Sequence, residues 1–177
     1  KYSDLKNKRV FITGGGSGIG ASIVEHFCEQ GSDVYFVDID LKETKKLLNK
    51  IKKNKFKTPT FIECNLLDIN KLEKIIKNII SKKGPIHVLV NNAANDDRHT
   101  TDQVDEKYWE NRMAINLKHY FFAAKAVVKS MKKMKAGSIV NLSSVSWMLG
   151  EGDKVVYETA KSAVVGLTRS FAQEYGK

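Results

Sequence analysis

Short apolar runs rich in Val, Ile and Phe alternate along this chain with longer stretches in which Leu and Ile recur every three or four positions. The runs 9–13, 34–38, 60–64, 86–91 and 138–143 have the length and β-branched content of strands buried on both faces. The stretches 18–30, 41–53, 70–82, 105–134 and 155–175 read as amphipathic helices; Leu47, Leu48 and Ile51 share one face, as do Leu72, Ile75, Ile76 and Ile79. Strands alternating with helices predict an α/β fold, a doubly wound parallel sheet whose right-handed crossovers put helices on both faces. Pro59 and Pro85 stand at strand entrances, and no repeat or linker divides the chain, so 1–177 is expected to be a single domain. The helix 155–175 should lead into another strand. A sheet of this type is therefore expected to lack its C-terminal strands here.

The net charge of +10 raises nucleic acid as a partner. The lysines, however, lie on the polar faces of the helices in 42–57 and 71–83, with no interleaved aromatics to stack bases, so no nucleic-acid partner is expected. No apolar run approaches the roughly 20 residues of a membrane span, and the polar start 1–8 is unlike a signal peptide. A cytoplasmic protein without a membrane partner is expected. Cys28 and Cys64 form no CxxC pair and have no clustered histidines, which predicts two buried reduced thiols and no metal site.

In open α/β sheets, ligands bind beyond the carboxyl ends of the strands. After the first run comes Thr13-Gly14-Gly15-Gly16-Ser17-Gly18-Ile19-Gly20, followed at once by a helix. Glycines allow a tight turn and close backbone approach, and the helix N-terminus offers free N–H donors to a pyrophosphate. The loop is either such a cradle or a plain turn; strand before and helix after favour the cradle of a Rossmann-type dinucleotide site. No Gly-Lys-Ser/Thr follows, which excludes a P-loop. Asp38 ends the second run where a carboxylate takes adenosine ribose hydroxyls, and neither Ser17 nor Ile39 offers a cation for a 2′-phosphate. NAD is therefore expected over NADP. The plainer reading is that Asp38 or Asp40 caps the next helix, Asp40 more than Asp38.

Tyr157 and Lys161, four residues apart on a helix, share one face. A nearby ammonium stabilises a phenolate and lowers a tyrosine pKa, although a YxxxK pair alone arises often by chance. With the glycine loop, the acid after the second strand and Asn91-Asn92-Ala93-Ala94 after the fourth, the chain resembles the short-chain dehydrogenase/reductase family over nearly its whole length. The resemblance implies a catalytic set of Asn116, Ser144, Tyr157 and Lys161. Ser144 is preferred to Ser143 because the family serine stands thirteen positions before the tyrosine. It further implies cofactor contacts from Gly14, Gly16, Ser17, Gly18, Ile19, Gly20, Asp38, Ile39, Asn65, Leu66, Asn92, Ala93, Tyr157 and Lys161, and assembly as a homo-oligomer, tetramer or dimer. In that scheme Tyr157 exchanges the substrate proton and Lys161 lowers its pKa and bonds the nicotinamide ribose. Ser144 orients the reacting oxygen, while Asn116 holds a relay water or simply kinks the long helix. Two positions depart from the family: Ala94 stands for a glycine, and Asn65 for an aspartate.

Further similarity lies in Asn95-Asp96-Asp97-Arg98-His99, Tyr108-Trp109, Ser146-Trp147-Met148-Leu149-Gly150 and Tyr157-Glu158-Thr159-Ala160-Lys161, which resemble bacterial NAD-dependent aldose 1-dehydrogenases of the D-xylose type. The substrate implied is a small molecule, a sugar whose anomeric hydroxyl is oxidised to a lactone. Asn95, Arg98, His99, Ser144, Ser146, Trp147 and Tyr157 would line its pocket, with polar groups for hydroxyls and an indole for the ring's C–H face. The plainer readings make Asp96, Asp97 and Arg98 an exposed ion-pair loop, Trp147 a core residue and His99 a surface residue. Two other functions stay open: reduction of a 3-oxoacyl thioester, and a catalytically silent cofactor-binding or interaction module.

Overall fold

The computed structural model describes residues 2–176. The apolar runs become β1 (Arg9–Thr13), β2 (Asp33–Asp38), β3 (Thr60–Glu63), β4 (Val88–Asn91) and β5 (Ser138–Asn141), all parallel, in the order β3-β2-β1-β4-β5. The last three are shorter than their apolar runs. Single bonds carry the path onward, Cys64 N–H to Asp38 O at 3.1 Å and Leu142 N–H to Asn91 O at 3.0 Å.

Period-two alternation builds two cores from one sheet. Val10 and Ile12 of β1 face α1 (Gly18–Glu29) and α2 (Leu41–Lys53), packing on Val24, Cys28, Leu47 and Ile51. Phe11 faces the other way, onto α3 (Ile69–Lys83), where Leu72 and Ile76 meet Ala123 and Val127 of a later helix. Both cysteines are buried and unpaired. Among the described residues no helix is long and apolar enough to cross a membrane.

Asp40 and Asp68 start α2 and α3 by accepting from Glu43 N–H at 3.0 Å and Lys71 N–H at 2.9 Å. Either Asp→Ala change is expected to cost about 1 kcal/mol, read as a lower urea midpoint at unchanged slope.

The single helix expected over 105–134 is interrupted. It is α4 (Glu106–Met113), a π-helical turn Ala114–Lys118, and α5 (His119–Met134). The cause is Asn116, fully buried in the turn, whose side chain bonds the backbone of Asn95 in place of solvent. After β5 comes a four-residue helix without a sequence signal, α6 (Ser146–Leu149), ended by Gly150 at φ 63°. The long α7 (Val155–Tyr175) then packs beside α5, with the Phe121 and Phe171 rings 5.7 Å apart.

Connections leave β1 toward β2 on one side and β4 lies on the other, so the chain parts around the carboxyl end of β1. In open parallel sheets this switch point is where ligands bind.

Candidate functional site

At the end of β1 the chain turns away while still paired to β2: the N–H groups of Gly14 and Gly15 donate to Val37 O at 2.8 and 3.2 Å. Gly14 sits at φ 67°, and a Cβ there would lie 2.8 Å from Ala93 Cα. The loop from β4 clamps it from below, since Asn92 Nδ2 donates to Gly14 O at 2.9 Å and Thr13 O at 3.2 Å. Beyond this floor Ser17, Gly18 and Ile19 are exposed at the start of α1, and Ser17 makes no capping bond. The first-turn amides are thus open to an anion. The closeness of the glycine floor and the open helix end fit a dinucleotide pyrophosphate.

Asp38 braces the same loop. One oxygen accepts from Gly16 N–H at 2.7 Å, the other from Ile39 N–H at 2.7 Å and Asp40 N–H at 2.9 Å. Capping of α2 falls to Asp40, so Asp38 stands at the mouth of the cradle with lone pairs to spare. Ile39 is exposed beside it. Asn65 is exposed and folds its Oδ1 onto Leu67 N–H at 3.0 Å. Leu66, also expected among the cofactor contacts, buries its side chain in the core on the α3 face, which leaves its backbone for such a contact. Ala94 departs from the family's glycine without strain, as its φ is not positive.

The candidate proton-transfer residues meet where β4, β5 and α7 converge. Lys161 is 1% exposed; its ammonium donates to Leu142 O at 2.7 Å and to Tyr120 Oη at 2.8 Å. Burial lowers its pKa to about 8. The same ammonium lies 5.7 Å from the Tyr157 ring centre. Tyr157 is half-buried, and among the described residues its hydroxyl has no hydrogen-bond partner, which leaves it free for a ligand. Two neighbouring serines separate clearly. Ser143 Oγ donates to Lys161 O at 2.7 Å, whereas among the described residues Ser144 Oγ meets only Ser146, Oγ to Oγ at 2.8 Å and N–H at 3.2 Å. Asn116 spends its side chain on Asn95, accepting from the N–H at 2.8 Å and donating to the carbonyl at 2.9 Å.

Sequence reasoning missed three members of this cluster. Tyr120 holds the Lys161 ammonium and donates to Leu142 O at 3.1 Å. Thr13 accepts from Asn92 and Ala93 N–H at 3.0 and 3.3 Å, so its own proton points to His119 Nε2 at 3.4 Å. His119 is fully buried, and burial, then the Lys161 charge, push its pKa down to about 3, keeping it neutral. The available signal was two titratable residues, His119 and Tyr120, inside the apolar stripe of a helix expected to face the sheet.

The expected sugar-binding residues are not brought together as a set. Ser146 is buried behind Ser144, and Trp147 stands half-buried on α6, flanked by exposed Val145, Met148 and Leu149. Asn95 turns Oδ1 onto Asp97 N–H at 2.9 Å. Arg98 is engaged elsewhere, paired with Asp153 at 2.6 Å, while Asp97 pairs with Arg112 at 2.6 Å. His99 is neither a surface residue nor a free donor: it is buried, with both ring nitrogens bonded within the protein. A recess of about 680 Å³ beside the outer edge of β5, walled by Met131, Ile139, Thr168 and Phe171, shares no residue with this cluster. Its walls include neither Tyr157 nor Lys161.

A sequence profile of the short chain dehydrogenase family matches residues 8–177. The chain belongs to the short-chain dehydrogenase family. With that family it is an oxidoreductase acting on CH–OH groups and binds a nicotinamide cofactor. It is similar to a D-xylose 1-dehydrogenase of Caulobacter vibrioides, 42% identical over 175 residues, 99% of this chain and 68% of that protein. A probable galactose dehydrogenase of Rhizobium meliloti is 39% identical over 176 residues, 99% of this chain and 69% of that protein. The ligand-free structure of an aldohexose dehydrogenase from Thermoplasma acidophilum superposes with a TM-score of 0.86 at 33% identity, over 99% of this chain and 64% of that one. The chain thus spans about two thirds of the length of these relatives.

Proposed function

We propose that this protein oxidises the anomeric hydroxyl of an aldose to a lactone, with NAD as the acceptor. The observation that carries the reading is that, in a wholly parallel sheet, the Asp38-braced glycine cradle follows the carboxyl ends of β1 and β2 and Ser144 follows that of β5, where Lys161 reaches Leu142 O at 2.7 Å with its ammonium 5.7 Å from the Tyr157 ring centre. The sugar class is taken from the relatives, whose names include D-xylose, galactose and aldohexose dehydrogenases.

In this reading the open amides of Ser17 to Gly20 hold the pyrophosphate, and Asp38 accepts from the adenosine ribose hydroxyls. When bound, the nicotinamide supplies the acceptor for the hydride that leaves the anomeric carbon. The Tyr157 oxygen takes the hydroxyl proton, a transfer favoured by the ammonium of Lys161 held close by. Ser144 donates to the reacting oxygen, and Ser146 fixes its rotor by bonding it at 2.8 Å. The exposed apolar edge around Trp147 offers a surface to the C–H face of a sugar ring.

NAD is proposed over NADP because a 2′-phosphate would bring like charge against the Asp38 carboxylate, and neither Ser17 nor Ile39 offers a cation. Changing Asp38→Ala with Ile39→Arg is expected to shift the NADP-to-NAD ratio of kcat/KM upward by about a hundredfold, roughly 2.7 kcal/mol, by replacing repulsion with a bidentate cation. The test of the whole reading is the rate of cofactor reduction with xylose, arabinose, galactose and glucose, each with NAD and with NADP. Lactone formed with NAD supports it. Reduction of 3-oxoacyl thioesters in place of sugar oxidation overturns the substrate class, and cofactor binding without turnover on either overturns the catalytic reading.

A further inference from the structure

The helix that carries Tyr157 and Lys161 begins without a local cap. Its N-cap is Lys154, which makes no capping bond and whose cation opposes the helix dipole; it is paired with Glu151. The first turn instead finds an acceptor in another loop, where Val156 N–H points at Nε2 of His99, 3.4 Å away. Because Nε2 accepts, the ring proton sits on Nδ1, within 3.0 Å of Asp97 O and 2.8 Å of Tyr108 Oη. The ring is thereby fixed in one orientation by bonds at both nitrogens. The grip is reinforced beside it: His99 N–H donates to Asp153 O at 2.7 Å, and Arg98 reaches both carboxylate oxygens of Asp153 at 2.6 and 2.8 Å. Asp153 sits at φ 46°, a conformation that outside bonds must hold in a residue with a Cβ.

We propose that His99 is a positioning residue for Tyr157: reaching from the loop after β4, it caps α7 in place of Lys154 and sets the Val155–Val156 peptide, one residue before the tyrosine. The proposal rests on the assignment of Tyr157 to proton transfer. It places His99 outside the substrate's contacts, since both ring nitrogens are committed, and it makes the loop 95–100 a strut between the sheet edge and the reacting hydroxyl.

The test compares His99→Phe, which fills the space without an acceptor, with His99→Gln, whose Oε1 can accept from Val156 N–H. Tyr157→Phe is run beside them with the same sugar and NAD. His99→Phe is expected to lower kcat about tenfold or more with KM for NAD unchanged, as displacement of a reacting group does, and His99→Gln to recover most of the loss. An unchanged kcat in a less heat-stable His99→Phe protein means a purely structural role and overturns the proposal, as does a raised KM for sugar at constant kcat. Should His99→Phe not fold, His99→Gln decides by the same split: near-native kcat with a native KM upholds the cap, and a fall in kcat as large as a lost reacting group overturns it. Full turnover in Tyr157→Phe sinks the tyrosine's assignment itself, a failure distinguishable from one confined to His99.

Discussion

Tyr157→Phe is expected to lower kcat about a thousandfold while the dissociation constant for NAD stays within about twofold, in line with the 10²–10⁴-fold worth of a positioned general acid or base. The substitution removes one oxygen and keeps the ring, so the packing of α7 survives. No other group can take over. Tyr120 is the second phenol at the Lys161 ammonium, but it is fully buried, its hydroxyl is spent on Leu142 O, and burial raises its pKa further from the working range. His119 is buried and held neutral. Lys161, with a pKa of about 8, carries its charge below that pH and loses it above, so electrostatic support for a Tyr157 phenolate is strongest on the acid side. Steady-state rates and a fluorescence titration with NAD check the split. A variant retaining a tenth or more of wild-type kcat would remove Tyr157 from the chemistry.

Where the sequence period was strong, the fold was legible. Val10, Phe11 and Ile12 alternate between two cores, and the α2 and α3 faces carry the residues their spacing predicted. The interruption at Asn116 was not legible as a π turn, because nothing local distinguishes a polar residue that kinks a helix from one on its wet face. What decides is the Asn95 backbone, brought 2.8 Å from Asn116 only by the crossing of β4 with the helix. For the same reason α6 went unseen: four residues hold no periodicity, and the helix exists because Val145 O and Ser146 O accept from Leu149 and Gly150.

Within the site, the residues whose placement was legible in advance were those beside a strand end, such as Gly14, Asp38 and Asn92. Loop residues were not, because their partners are far along the chain. Arg98 finds Asp153, and His99 finds Val156, across more than fifty positions. A sequence reading sees the functional group and assigns it outward to a ligand, whereas the fold spends it inward. Tyr120 shows the converse, an aromatic that no sequence motif marks and whose hydroxyl meets the lysine at 2.8 Å.

Gly20→Ala is expected to be the most damaging single methyl in the protein. Its Cβ would fall 1.8 Å from Gly14 O and 2.6 Å from Asn92 Nδ2. The first of these is backbone, so the clash cannot be relieved by a rotamer. The Gly14 carbonyl must move, and it is the acceptor through which Asn92 clamps the glycine loop at 2.9 Å. The cost is about 3 kcal/mol of stability, at the upper end of ordinary overpacking, together with a rise of more than about a hundredfold in the NAD dissociation constant as the cradle opens. Gly18→Ala is the matched comparison. That residue is at φ 52° and an added methyl would meet no atom within 4 Å, so only left-handed backbone strain of about 1 kcal/mol is added. Urea unfolding and NAD titration of the two variants separate the effects: a large loss in both for Gly20→Ala against a small loss of stability for Gly18→Ala follows from close approach, and equal losses would assign the glycines' importance to conformational freedom alone.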